Sequence, residues 1–190
     1  VFTSGSALTL WASPILILFG YLIFSLTQEF RPHNVGRILI GLGLMLLALQ
    51  LIKAASAPLG SASLFHDLLS ALGHEPLLAF IVGAGLAWMF HSTLAAILLI
   101  ATFLANGSLE TTGALAFILG INFGGGLPAV IGTLGLSPAA RRLPLANLLC
   151  RATTSVALLA ALNWLVPFVM RSPLPPVETV LAFHTIFNVG

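Results

Sequence analysis

The sequence predicts an all-α, polytopic helical membrane protein, and two observations carry that reading. Of 190 residues, 58% are hydrophobic and only 6% are charged, whereas soluble domains carry roughly 25% charged residues. The scarcity is also uneven, since residues 76–109 and 111–140 contain no Asp, Glu, Lys or Arg. Both runs exceed the ~20 apolar residues that cross a bilayer. Seven basic and five acidic side chains are too few to keep a compact body wetted, which excludes a soluble globular enzyme. Disorder is excluded as well, because it needs low hydrophobicity and high charge. A net charge of +2 offers no nucleic-acid face.

The remaining counts are less informative. A single cysteine, Cys150, excludes a disulfide within the chain and lies in an apolar run. The start, Val1-Phe2-Thr3, lacks the basic n-region of a signal peptide. Residues 183–190 read as the opening of a further membrane element. The chain is therefore expected to be an internal piece of a longer protein.

Taken in order, a first span is expected over 7–27, a polar linker over 28–37 and a second span over 38–57. A short helix lying in the membrane interface is expected over 61–73, where Leu64, Phe65, Leu68, Leu69 and Leu72 recur at helical spacing. Residues 76–105 are too long for one straight crossing. Thirty helical residues rise about 45 Å, against a hydrocarbon core of ~30 Å. A fourth span over 112–136 is expected to be broken, a fifth runs over 143–170, and a further element begins at 177–190. Arginine placement decides how 76–105 runs. If it folds as a re-entrant hairpin turning near His91-Ser92-Thr93, then Arg31, Arg37, Arg141 and Arg142 all fall on the cytoplasmic side, as the positive-inside rule prefers.

Polar residues within these apolar runs are costly, and they mark candidate sites. His91, Ser92 and Thr93 would offer hydroxyls, an imidazole and freed backbone N–H groups at the hairpin turn. The alternative is that the hydroxyls bond back to carbonyls four residues earlier. In Gly120-Ile121-Asn122-Phe123-Gly124-Gly125-Gly126-Leu127-Pro128, the glycines and the proline predict a helix broken mid-membrane, a device that binds ions through unwound carbonyls and half-helix ends. The alternative there is a small-residue packing face built on Gly120 and Gly124. Arg151, inside the fifth span, either reaches an anion with its paired donors or snorkels to the cytoplasmic face. His184-Thr185-Ile186-Phe187-Asn188 forms a fourth polar group near the end of the chain.

From Gly41 onward these residues resemble the sodium/phosphate cotransporter family. That family is known by a Gln-Ser-Ser-Ser-Ala motif in a re-entrant region and a Gly-Ala-Asn-x-Gly-Thr-Thr loop. An Ala-Arg-Arg-x-Ala-x-Ala-His-x-x-Phe-Asn stretch and a His-Thr-x-Phe-Asn element follow. The matches here are Gly120-Ile121-Asn122-Phe123-Gly124, Ala140-Arg141-Arg142-Leu143-Pro144-Leu145-Ala146 and the intact His184-Thr185-Ile186-Phe187-Asn188. The chain departs from the family at three places. The serine motif reads His91-Ser92-Thr93-Leu94, the Thr-Thr pair is Gly125-Gly126, and the terminal Phe-Asn is Cys150-Arg151.

The resemblance implies an inverted-repeat transporter in a bacterial inner membrane. Residues 1–37 would hold the last span and loop of the first repeat, and residues 38–190 the second repeat. It implies sodium-coupled symport of inorganic phosphate by alternating access, with Na⁺ as coupling ion, no other cofactor and no enzymatic role. Partners implied are phosphate, Na⁺, the lipid bilayer, a second copy of the chain and a phosphate-signalling domain or protein. Read with the residues themselves, the substrate set is His91, Ser92, Thr93, Asn122, Gly124, Gly125, Arg151, Thr185 and Asn188. Oxygens of Asn122, Gly124 and Ser92 are the Na⁺ candidates. Arg151 is the expected counter-charge that offsets the missing hydroxyls at Gly125-Gly126. Two other classes fit the composition: a carrier of another anion, proton-coupled through His91, and a membrane scaffold or regulatory subunit that has lost transport.

Overall fold

The computed structural model describes residues 6–27, 29–61 and 63–189, and among them it contains helices and no strand. Two compact units divide the chain, 1–55 and 56–190.

In the first unit, α1 (Ser6–Leu26) and the leading part of α2 (Phe30–Ser61) pack as an antiparallel pair. Glycines permit the approach. A Cβ on Gly36 would stand 2.7 Å from the Phe24 backbone nitrogen, and one on Gly43 would stand 3.0 Å from the Ser13 carbonyl oxygen. Buried Ser13 satisfies its hydroxyl by donating to the Gly43 carbonyl at 3.1 Å. The expected polar linker over 28–37 is mostly helix instead, because α2 begins at Phe30. Pro32 falls in its first turn, where a missing N–H costs nothing, so Arg31, His33 and Arg37 extend the helix rather than interrupt it. His33 also packs its ring against Phe24, with centroids 4.1 Å apart.

The second unit is organised around α6 (Thr111–Gly124), whose residues from Gly113 to Asn122 are all buried. The short helix expected over 61–73 is present as α3 (Ser63–His74), and the axis bends by 113° between 67–74 and 76–90. There Pro76 opens α4 (Pro76–Phe90). Small residues then let α4 lie directly on α6. A Cβ on Gly113 would stand 2.6 Å from the Gly73 Cα, while one on Gly120 would overlap the Phe80 carbonyl and one on Gly124 the Ala84 carbonyl. The pairs 80/120 and 84/124 keep one register, so α4 and α6 run parallel. The segment between them, α5 (Thr93–Ala105), therefore runs back, and the chain reverses at His91–Ser92 as the sequence predicts. Neither limb of this pair is long: 15 and 13 residues rise about 22 and 20 Å. Gly120 and Gly124 thus belong to a small-residue packing face, the alternative that ranked second on sequence. Ala79, Ala87, Ala96, Ile97, Ile100, Phe103 and Phe117 complete the core of this unit.

The fourth span is interrupted but not unwound. α6 gives way to α7 (Leu127–Gly132) at Gly125 and Gly126, both of which keep right-handed helical angles. The N–H of Gly125 still reaches Ile121 O, at 2.9 Å, and that of Gly126 tightens to Phe123 O at 3.0 Å. Pro128 is tolerated because it sits at the start of α7, where its lost N–H is not needed. The fifth span starts earlier than expected. α8 (Pro138–Ala160) takes Arg141 and Arg142 into its first turns, and a distortion at Ala161 separates it from α9 (Leu162–Val169). α10 (Pro176–Val189) closes the described chain. Among the described residues, three helical segments are long and apolar enough to cross a membrane, 30–52, 111–132 and 138–160, and the bent pair 67–74 and 76–90 would make a fourth if it counts as one span.

Candidate functional site

Arg151 lies thirteen positions into α8, and its guanidinium reaches across to α6 and α10. Nη1 donates to the backbone carbonyl of Asn122 on α6 at 2.9 Å. Nη2 donates to Asn188 Oδ1 on α10 at 2.8 Å, and Nε reaches Asn147 Oδ1, one turn back on α8, at 3.4 Å. Three helices are tied by one side chain. Every acceptor is a neutral amide or carbonyl oxygen, and among the described residues no carboxylate pairs with Arg151. These bonds use three of the five guanidinium N–H groups, leaving two.

Asn188 is the hub that fixes the remaining orientations. Because its Oδ1 accepts from Arg151, its Nδ2 must be the donor toward Asn122 Oδ1 at 3.1 Å and toward the His184 carbonyl at 2.9 Å. That assignment in turn sets the Asn122 amide, whose Nδ2 is fully buried and has no hydrogen-bond partner. Leaving such a donor unmade costs roughly 1–3 kcal/mol. Asn122 therefore leaves one buried N–H₂ without a partner in the residue whose backbone carbonyl accepts from Arg151.

The glycine pair after Asn122 has a steric role here. A Cβ on Gly125 would overlap Thr93 Cγ2 at the head of α5. One on Gly126 would meet Leu148 Cδ1 at 3.0 Å and Arg151 Cδ at 3.4 Å. The start of α5, the α6/α7 interruption and the arginine stem thus converge because residues 125 and 126 lack side chains. Arg151, Asn122, Asn188, Gly125 and Thr93 are drawn to one end of α6 by these contacts.

Other candidates are placed differently. Exposed His91 ends α4 in the left-handed region at φ 52. Ser92 is the N-cap of α5, its hydroxyl accepting from the Ala95 N–H at 3.2 Å, a role neither sequence reading anticipated. Thr185 is exposed and bonds back to Leu181 O at 2.9 Å. Gly124 serves the α4 contact. Asn147 was missed, although its position four residues before Arg151 on one helix face is a readable signal. Of the oxygens assigned to Na⁺ on sequence, the Asn122 carbonyl accepts from Arg151 and the Ser92 hydroxyl caps a helix.

The family model described as Na+/Pi-cotransporter matches residues 60–170, which contain α4 to α8 and with them Thr93, Asn122 and Arg151. The chain belongs to the Na⁺/Pi-cotransporter family. Within that family, the Escherichia coli (strain K12) protein named "Putative inorganic phosphate export protein YjbB" is 36% identical over 94% of this chain and 33% of its own length. The Salmonella typhimurium protein of the same name matches equally, and the Bacillus subtilis protein named "Uncharacterized protein YqeW" is 24% identical over 92% of this chain and 57% of its own. The chain spans about a third of the length of the first of these relatives. No solved structure matches it. Family and apolar helices together make this a membrane protein.

Proposed function

We propose that the chain forms part of a multi-pass carrier of inorganic phosphate in a bacterial inner membrane, working by alternating access. A half-buried arginine held only by neutral oxygens, with two N–H groups left, carries this reading. Oxyanions match the paired donors of a guanidinium, and the buried Asn122 amide adds a further donor beside it. Thr93 would border the anion path from the head of α5. The two short limbs α4 and α5 support a re-entrant hairpin, since neither spans ~30 Å alone. The complementary inverted repeat is then supplied by the length of protein that the relatives have beyond this match.

Sodium as coupling ion is the expectation that follows from the family description. Outward movement is a second reading, favoured by the name that relatives 36% identical to this chain carry. Partners in this reading are phosphate, Na⁺, a second copy and a phosphate-responsive domain or protein. The deciding experiment is radiolabelled phosphate flux through the complete protein in proteoliposomes, run inward and outward, with and without a sodium gradient. Uptake that follows the sodium gradient supports symport, and sodium-independent efflux from loaded vesicles supports the second reading. Absence of protein-dependent flux in either direction overturns the carrier.

A further inference from the structure

The acceptors around Arg151 are of the chemical kind that also ligates monovalent metal ions. A backbone carbonyl from α6, an amide oxygen from α10 and an amide oxygen from α8 converge on one positive charge without any carboxylate among the described residues. Neutral oxygens from several elements, including backbone carbonyls, are how membrane carriers hold monovalent ions. An arginine paired structurally would be expected to meet Asp or Glu, because bringing an uncompensated charge into an apolar bundle is costly. Here the compensation is dipolar throughout.

We infer that Arg151 stands in for a bound monovalent cation. Its guanidinium occupies the oxygen cluster of Asn122, Asn188 and Asn147, and it presents its two remaining N–H groups to the oxyanion as an ion at that place would present its charge. The cation is then covalently attached and permanently present, so the anion site is charged before any ion arrives from solution. Any sodium coupling of the complete protein is drawn from oxygens elsewhere. Two features support the assignment. Gly126 leaves room for the Arg151 stem at 3.4 Å, so the side chain reaches the cluster without displacing α6. Asn188 Nδ2 is held by Asn122 Oδ1, which keeps Asn188 Oδ1 turned toward the charge. Only the role toward the anion rests on the phosphate reading; occupancy of a cation position does not.

The test removes the built-in charge and asks whether a free ion replaces it. Purified complete protein is unfolded thermally in sodium, lithium, potassium or choline chloride at one ionic strength, as wild type, Arg151→Ala, Arg151→Gln and Arg151→Lys. Wild type and Arg151→Lys should respond alike to the metal ions over choline, since any sodium sites elsewhere are common to both. Either neutral variant should show, beyond the wild-type response, a saturable rise of roughly 2–4 °C or more in at least one metal chloride over choline. A neutral variant that folds only in metal chloride gives the same answer. No cation-specific rise beyond that of wild type in either folded neutral variant overturns the inference, and so does an Arg151→Lys protein that acquires a metal-ion dependence wild type lacks. If neither neutral variant folds in any medium, the cluster does not accept a free cation and the inference falls. Failure of wild-type protein to move phosphate would remove the carrier reading and leave this result standing.

Discussion

Arg151 Nη1 on α8 donates to the backbone carbonyl of Asn122 on α6 at 2.9 Å, linking residues twenty-nine positions apart. A charged donor to a neutral acceptor contributes about 1.5–3 kcal/mol where both are withdrawn from water. The bond therefore fixes α8 against α6 and aims the charge into the bundle. Asn188 completes the arrangement from α10, and changing its charge should separate the role in anion binding from the role in folding. Asn188→Asp keeps the acceptor that Arg151 uses and adds an opposite charge beside it, but gives up the donations to Asn122 Oδ1 and the His184 carbonyl. Its melting temperature should fall, while phosphate affinity of the folded protein falls at least about tenfold, or 1.4 kcal/mol. Isothermal titration with phosphate checks this.

A second prediction concerns the packing of α4 on α6. Gly120→Ala places a methyl group against the Phe80 carbonyl, and backbone cannot yield as a side-chain tip can. Overpacking of this kind costs about 1–3 kcal/mol. Gly85→Ala, on the same helix as Phe80 but with nothing within 4 Å of the new atom, should be neutral or stabilising by up to about 1 kcal/mol. Thermal unfolding of the two variants in one detergent compares them directly.

The hairpin turn supplies a third. Ser92→Ala removes the acceptor for the Ala95 N–H and should destabilise by about 0.5–2 kcal/mol, whereas Ser92→Asp keeps the cap. If the hydroxyl only caps α5, phosphate affinity will follow the same pattern as stability, with Ser92→Asp close to wild type in both. A ligand role predicts the opposite for Asp, since a carboxylate repels the anion.

His91 gives a fourth. At φ 52 a residue with a Cβ is held where glycine is preferred, at a cost of roughly 1–2 kcal/mol. His91→Gly should therefore raise the melting temperature. Because the ring is exposed and its Nδ1 lies 3.4 Å from Met89 O, phosphate flux in the variant should match that of wild type.

Much of the architecture was legible in the sequence because bilayer length and charge scarcity act on whole segments. The turn at His91–Ser92 followed from a run too long to cross once, and the short helix before Pro76 from leucine spacing. What was hidden depended on packing between distant segments. Gly120 and Gly124 look alike whether they break a helix or let two helices touch, and only the parallel register of α4 on α6 separates the cases. Arg151 was visible as an anomaly, yet its direction was not, because Asn122 and Asn188 lie 29 and 37 positions away on either side. Asn147 was readable and was overlooked. The settings of His91 and Thr185 were not legible, since polarity in an apolar run marks cost without saying whether a cap, a backbone carbonyl or a ligand meets it.

The central claim is that the Arg151 guanidinium, oriented by Asn122 and Asn188, binds the carried anion. Equilibrium binding of radiolabelled phosphate to the purified complete protein tests it most directly, comparing wild type with Arg151→Ala and Arg151→Lys. The account predicts saturable binding in wild type, a loss of at least about tenfold in Arg151→Ala and an intermediate loss in Arg151→Lys, which keeps the charge but not the paired donors. A folded Arg151→Ala protein that binds phosphate with wild-type affinity would contradict it.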